Sequence, residues 1–299
     1  MADLSVEVSG IKLKHPVMNA SGVLASSTEG VARLAKAGVS AIVTKTLTRE
    51  PLRGYKPPIV IPIGCSGLLN AVGLENPGIE YLPELVKTAS NYGVPIIASI
   101  AGRSVEEYTY LAGKAEEYGV NAIEVNLSCP NVKGYGLHAE IPLREVVESV
   151  KSTVSIPVWA KLGYSPDIVR AAGKVLDGGA DVLVLINTLP GMVIDVYTMK
   201  PVLSNKTGGL SGQPIHPVMV YTVYSVYREY GCEIIGVGGI TDWVSAIETI
   251  LAGARAIQIA TAFYLKGFGI VREIISGINQ YMEEIGVKKL SELIGKAHD

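Results

Sequence analysis

The 299-residue sequence predicts one α/β domain, residues 1–299, folded as a (β/α)8 TIM barrel with an N-terminal β-hairpin and long loops at the carboxyl-end face. Three observations lead there. Short apolar, β-branched runs recur about eight times, and amphipathic stretches of helical spacing lie between them. Several of those stretches end in a glycine, at Gly38, Gly119, Gly178-Gly179, Gly231 and Gly253, where a left-handed residue can close the last turn. The runs are apolar enough to be covered on both faces, as parallel strands ringed by helices are. An open doubly wound sheet is the alternative, weakened because no Gly-x-Gly-x-x-Gly follows the first run.

Taken in chain order, residues 4–8 and 11–13 flank Ser9-Gly10 and read as a hairpin covering the base of the barrel. The strand-like runs are 16–19, 41–44, 95–100, 122–125, 157–161, 182–186, 234–237 and 256–259. Helices are expected over 28–37, 79–92, 105–118, 143–152, 165–177, 217–230 and 243–252. Segments 47–77 and 189–214 are too long for simple connections. Long loops in a compact barrel are usually functional, and in this architecture they join the chemistry on the carboxyl-end face.

Composition excludes several classes. Hydrophobic residues make up 48% and charged ones 18%, so a large core is available and disorder is not expected. A net charge of −2 leaves no basic footprint for nucleic acid. The cysteines, Cys65, Cys129 and Cys232, are too dispersed for a local metal motif and odd in number, which fits a reducing cytoplasm. His15, His138, His216 and His298 show no paired spacing, so no protein-bound metal is expected. The opening residues lack a basic region followed by an apolar stretch, and no run of about 18 apolar residues occurs, so no membrane association is expected.

Polar residues gather where the expected strands end: Asn19 and Ser21, Lys45 and Thr46, Ser99, Asn126 and Cys129, Lys161, Asn187 and Thr188, Gly238 and Gly239, Thr261. A lysine at the end of a barrel strand is costly unless an anionic partner waits there. The plain alternative is a lysine whose head reaches water. Asn126-Leu127-Ser128-Cys129-Pro130-Asn131 sets a thiol between two carboxamides after a buried strand, an arrangement suited to facing a substrate. The competing reading makes Cys129 one more small buried residue. Gly236-Val237-Gly238-Gly239-Ile240 with Thr241-Asp242, and Ile259-Ala260-Thr261-Ala262, suggest a phosphate grip of backbone N–H groups and a helix start. Two ordinary tight turns would look the same.

Seven motifs then coincide in order: Asn19-Ala20-Ser21-Gly22, Thr44-Lys45-Thr46, Leu69-Asn70-Ala71-Val72-Gly73-Leu74-Glu75-Asn76-Pro77-Gly78, Asn126 through Lys133, Ala160-Lys161-Leu162, Ile186-Asn187-Thr188 and Lys206-Thr207-Gly208-Gly209-Leu210-Ser211-Gly212. With these the chain resembles dihydroorotate dehydrogenase over essentially its whole length. The match is to the cysteine-type class 1 enzymes, and most to the class 1B catalytic subunit. The resemblance implies a single FMN-binding domain, with the phosphate at Gly238, Gly239, Ala260 and Thr261. Ala20, Ser21, Gly22, Lys45, Thr46, Asn126, Lys161, Ile186 and Gly212 would lie along the rest of the cofactor, Lys161 at the N1/O2 edge. It places dihydroorotate against Lys45, Asn70, Asn126, Asn131, Asn187 and Thr188, with Cys129 taking the C5 proton.

The resemblance further implies a homodimer core and an electron-transfer subunit carrying FAD and an iron-sulfur cluster, whose ligands the partner would supply. A self-sufficient homodimer using fumarate is the other route. Rival activities on the same barrel are a dihydropyrimidine dehydrogenase-like flavoenzyme and, from another class, a phosphate-binding isomerase or lyase. Two stretches depart from the family pattern: Tyr55-Lys56-Pro57-Pro58-Ile59 replaces an Asn-Pro-Pro-Pro-Arg-like segment, and Ala260 stands where glycine is usual.

Overall fold

Eight short parallel strands form the frame in the computed structural model, which describes residues 2–22, 24–128 and 142–299. They are β1 (Val17–Asn19), β2 (Ile42–Val43), β3 (Ile96–Ile100), β4 (Ala122–Asn126), β5 (Val158–Leu162), β6 (Val182–Leu185), β7 (Ile234–Val237) and β8 (Ala256–Ile259). Their order is β1-β8-β7-β6-β5-β4-β3-β2. Every one falls on an expected run, because buried parallel strands need side chains that are apolar on both faces.

The ladder leaves a seam between β1 and β2, and a side chain bridges it. Asn19 Nδ2 donates to the Val43 carbonyl at 2.7 Å, and the Val43 N–H donates to Asn19 Oδ1 at 3.1 Å. The carboxamide thereby imitates a peptide group of the missing ladder. Ser40 supports it from the strand's other end, its N–H donating to the Val17 carbonyl at 2.9 Å. Asn19, grouped by sequence with the polar strand ends of a site, is thus a structural closure.

The helices α1 (Thr28–Ala37), α2 (Leu82–Asn91), α3 (Val105–Glu117), α4 (Leu143–Thr153), α5 (Ile168–Asp177), α6 (His216–Tyr230) and α7 (Trp243–Leu251) follow the first seven strands in turn. After β8 come the short α8 (Thr261–Lys266) and the longer α9 (Ile270–Glu284). The expected helix over 79–92 is divided, a 3-10 turn at Ile79–Tyr81 leading into α2, where Pro83 suits the first turn. At the base, the hairpin of Val6–Val8 and Ile11–Leu13 packs as expected, and Trp159 Nε1 donates to Ser9 Oγ at 2.9 Å.

The two long excursions, expected as loops, contain strands that pair with each other. Leu189–Gly191, Gly208–Gly212, Gly67–Asn70 and Val60–Ile63 lie side by side as a four-stranded antiparallel sheet. Leu69, Ala71 and Leu203 form its own small core. A ribbon of Ile194–Asp195 and Lys200–Pro201 extends from it, with Val196, Tyr197 and Met199 largely exposed at its tip. Among the described residues no helix is long and apolar enough to cross a membrane.

The seam gives a direct test. Asn19→Ala would strand the Val43 N–H and C=O, two buried groups at about 1–3 kcal/mol each. Chemical denaturation should therefore show a loss of about 2–6 kcal/mol.

Candidate active site

A cleft opens at the carboxyl ends of the strands, beside the excursion sheet. Ala20 and Ser21 after β1, Lys161 on β5, Ile186, Asn187 and Thr188 after β6, and Gly212 from the sheet all line it. Gly238 and Gly239 after β7, with Ala260 and Thr261 after β8, complete the wall. Thus 11 residues singled out from sequence meet in one place, drawn from six separate stretches of chain. Gln258, Ser211, Ile215, Val237, Ile240 and Ile259 line it too.

The glycine turns are sterically dictated. Gly239 has φ +69°, and a methyl there would meet the Gly212 carbonyl at 2.7 Å and the His216 N–H nitrogen at 2.8 Å. Gly212 has φ +88°, and a methyl would collide with the Ser66 carbonyl. His216, buried at the start of α6, packs its ring between the Gly238 carbonyl at 3.2 Å and the Glu248 carboxylate at 3.0 Å. The first turn of α8 begins at Thr261 without a side-chain cap, leaving N–H groups for an anion.

The amino end of α7, read from sequence as part of the same grip, is already occupied. Asp242 caps it, accepting from Ser245 N at 2.8 Å, and the Ser245 hydroxyl completes a capping box. Burial opposes the Asp242 charge, but hydrogen bonds from the Ser245 backbone and side chain outweigh it and hold the carboxyl below its usual pKa.

Lys161 is buried, only 3% exposed, and forms an ion pair with Glu124, which is 0% exposed. Their Nζ–Oε1 separation is 3.6 Å, and Lys161 also donates to Ser21 Oγ at 3.0 Å. The anion that a buried lysine requires is therefore supplied by the next strand. The remaining partners of Glu124 are donors as well: Ser99 Oγ at 3.1 Å and Gln258 Nε2 at 2.9 Å. With the Ser99 proton committed to Glu124, Thr46 donates to Ser99 at 3.0 Å, and Asn126 Nδ2 donates to Thr46 at 3.1 Å. Asn126 Oδ1 in turn accepts from Ser128 Oγ at 3.0 Å, which accepts from Asn187 Nδ2 at 2.9 Å.

Thr46, Asn126 and Asn187 are thus joined in one network. Thr188 follows, its N–H donating to Asn187 Oδ1 at 2.8 Å. Asn70, at the end of a sheet strand, donates to the Gly209 carbonyl at 3.1 Å. Lys45 is partly buried beside Thr46, and Gly22 follows Ser21 with φ +149°. Cys129 and Asn131 lie outside the described residues. Of the other cysteines, Cys65 is exposed, while burial pushes the Cys232 thiol up to about 11 and keeps it protonated at neutral pH.

Sequence reasoning missed Glu124 and Gln258, and quoted Ser128 within the Asn126 motif without giving it a role. A signal existed: Glu124 and Gln258 are polar residues inside apolar strands, and Glu124 stands two residues before Asn126, on the same face of β4. Gln258 carries a second clue. Among the described residues its buried Oε1 has no hydrogen-bond partner, and Gln258 lines the cleft.

Comparison with known proteins was consistent along the chain. The family model for dihydroorotate dehydrogenase matches residues 3–282. A Thermoplasma volcanium protein named dihydroorotate dehydrogenase B (NAD(+)), catalytic subunit, is 45% identical, the match covering 99% of each chain. The Pyrococcus furiosus protein of the same name is 43% identical over 98% of each chain. An Aeropyrum pernix protein provisionally named dihydroorotate dehydrogenase A (fumarate) is 43% identical over 99% of this chain and 98% of its own. The fold resembles the crystal structure of a dihydroorotate dehydrogenase from Eimeria tenella in complex with ferulenol, at TM-score 0.84 and 20% identity, covering 99% of this chain and 89% of that one.

The α7 cap yields a pH-dependent expectation. Asp242→Ala should cost about 1 kcal/mol at neutral pH. Because the folded pKa is lowered, the parent's advantage is complete above the unfolded carboxyl value, about 3.9, and fades as pH falls through the folded value. Urea titrations of both proteins across the acidic range would check it.

Proposed function

The chain belongs to the dihydroorotate dehydrogenase family, and from that premise we propose that FMN and dihydroorotate share the carboxyl-end cleft, where dihydroorotate is oxidised to orotate for pyrimidine biosynthesis. The observation that carries the reading is the convergence of separated motifs on one cleft with a buried ammonium in its wall. The residues suit the cofactor. Crowded glycine turns and the uncapped α8 start suit a phosphate, and the partnerless Gln258 Oε1 suits a hydroxyl or ring N–H.

FMN, when bound, supplies the two-electron acceptor that takes hydride from C6 of the substrate. Lys161 holds a positive charge where negative charge develops during that transfer, which lowers the barrier without reorganisation. Cys129, as thiolate, removes the C5 proton, so that the electron pair left behind forms the C5–C6 double bond as hydride departs. Its role stands on the Asn126 to Lys133 motif. Lys45 pairs with the substrate carboxylate, while Asn70, Asn126, Asn131, Asn187 and Thr188 meet its ring carbonyls and N–H groups.

For the oxidative half, the reading is a homodimeric catalytic core whose electrons leave through a second subunit carrying FAD and an iron-sulfur cluster, ending at NAD in the cytoplasm. The names of the Thermoplasma and Pyrococcus relatives support it. The Aeropyrum relative's name favours a second route, in which fumarate takes the electrons directly.

Rapid mixing of the flavin-loaded protein with dihydroorotate tests the assignment of the base. Cys129→Ala should slow flavin reduction by about 10²-fold or more, the usual contribution of a positioned base. In the parent the rate should climb with pH as a thiol of reference pKa about 8.5 ionises. Parent-like reduction in Cys129→Ala would remove the thiol from the mechanism, and a response to dihydrouracil would favour the dihydropyrimidine rival.

A further inference from the structure

We propose that Glu124 is a positioning residue for the oxidation: it is the counter-ion that lets the buried Lys161 present a positive charge to the flavin. The inference rests on FMN occupying the cleft as proposed above. No motif of the sequence pointed to Glu124, and it lies behind Lys161 in the barrel interior.

Geometry supplies the argument. Among the described residues Lys161 Nζ has two polar partners, the neutral Ser21 hydroxyl at 3.0 Å and Glu124 Oε1 at 3.6 Å. An ammonium 3% exposed has lost most of its hydration, and one hydroxyl does not replace it. Among the described residues, Glu124 alone offers it the opposite charge within ion-pair distance. The carboxylate is itself fixed from two further strands, Ser99 on β3 holding Oε1 at 3.1 Å and Gln258 on β8 holding Oε2 at 2.9 Å. These clamps are neutral, so they orient the carboxylate without cancelling its charge. Lys45, after β2, is the other cation at this rim, and Glu124 is the acidic group among the contacts described for Lys161.

The consequence is electrostatic and measurable. With Glu124 in place, Lys161 is an ammonium in both redox states, and flavin reduction leaves its proton count unchanged. With Glu124→Gln, burial without a counter-charge disfavours the ammonium while the flavin is neutral. Reduction places negative charge at the flavin and restores the reason to hold that proton. The variant should therefore take up one additional proton per two electrons over part of the neutral-to-alkaline range.

The experiment is the flavin midpoint potential as a function of pH in the parent, Glu124→Gln and Glu124→Asp. The expected result is that Glu124→Gln falls progressively below the parent as pH rises, its slope steeper by one proton per two electrons, while Glu124→Asp runs parallel to the parent. In a Lys161→Met background, Glu124→Gln should leave the slope untouched. Parallel lines for Glu124→Gln and the parent would overturn the proposal while leaving FMN in its cleft. A parent that binds no flavin would overturn the reading above and this one with it. Should Glu124→Gln fail to fold, the double variant Glu124→Gln/Lys161→Met decides. Its recovery would identify the unpaired ammonium as the fault, and its failure would make Glu124 part of the scaffold and overturn the proposal.

Discussion

A single carboxylate, sealed inside the barrel, sets the polarity of everything above it. Glu124 receives Lys161, Ser99 and Gln258, and through Ser99 it terminates a chain of donors that begins at Asn187 and passes Ser128, Asn126 and Thr46. Each hydroxyl in that chain has its proton directed by the next acceptor. Such a network is costly when partly satisfied and rigid when complete. It therefore fixes side chains on β3, β4, β5 and β8, and in the segments after β2 and β6, relative to one another.

The barrel makes that arrangement possible. Closure brings the ends of all eight strands to one rim, and the Asn19 carboxamide holds the seam where the ladder is absent. The two excursions then build a second sheet beside the rim, which delivers Gly212 and Ser211 to the cleft and places Asn70 beside Gly209. Glycine at 212 and 239 permits that sheet and the β7 turn to approach more closely than any side chain allows. The cleft is thus walled by two layers, the barrel rim and the sheet across its mouth.

The frame was legible because buried parallel strands are written as uninterrupted apolar runs, and the amphipathic stretches between them place the helices. The excursion sheet was not. Val60–Ile63 contains Pro62, and Gly208–Gly212 has three glycines among five residues, so neither carries a strand pattern that sequence reasoning can detect. In the site, Lys161 was read correctly as needing an anion, yet the partner is a neighbouring strand rather than a ligand. Asn19 was misgrouped because a polar strand end looks the same whether it faces a ligand or a gap in the ladder. Asp242 read as an open helix start, although its own carboxylate fills that position. Cys129 and Asn131, the clearest signals in the sequence, belong to the segment outside the described residues, so their roles rest on motif alone.

The proposed function requires a flavin and dihydroorotate to meet in this cleft. The visible absorption spectrum of the purified protein, recorded before and after anaerobic addition of dihydroorotate, addresses that most directly. A yellow protein whose flavin band bleaches on addition is the predicted result. A colourless preparation that takes up no FMN, or a flavin band unmoved by dihydroorotate, would contradict it.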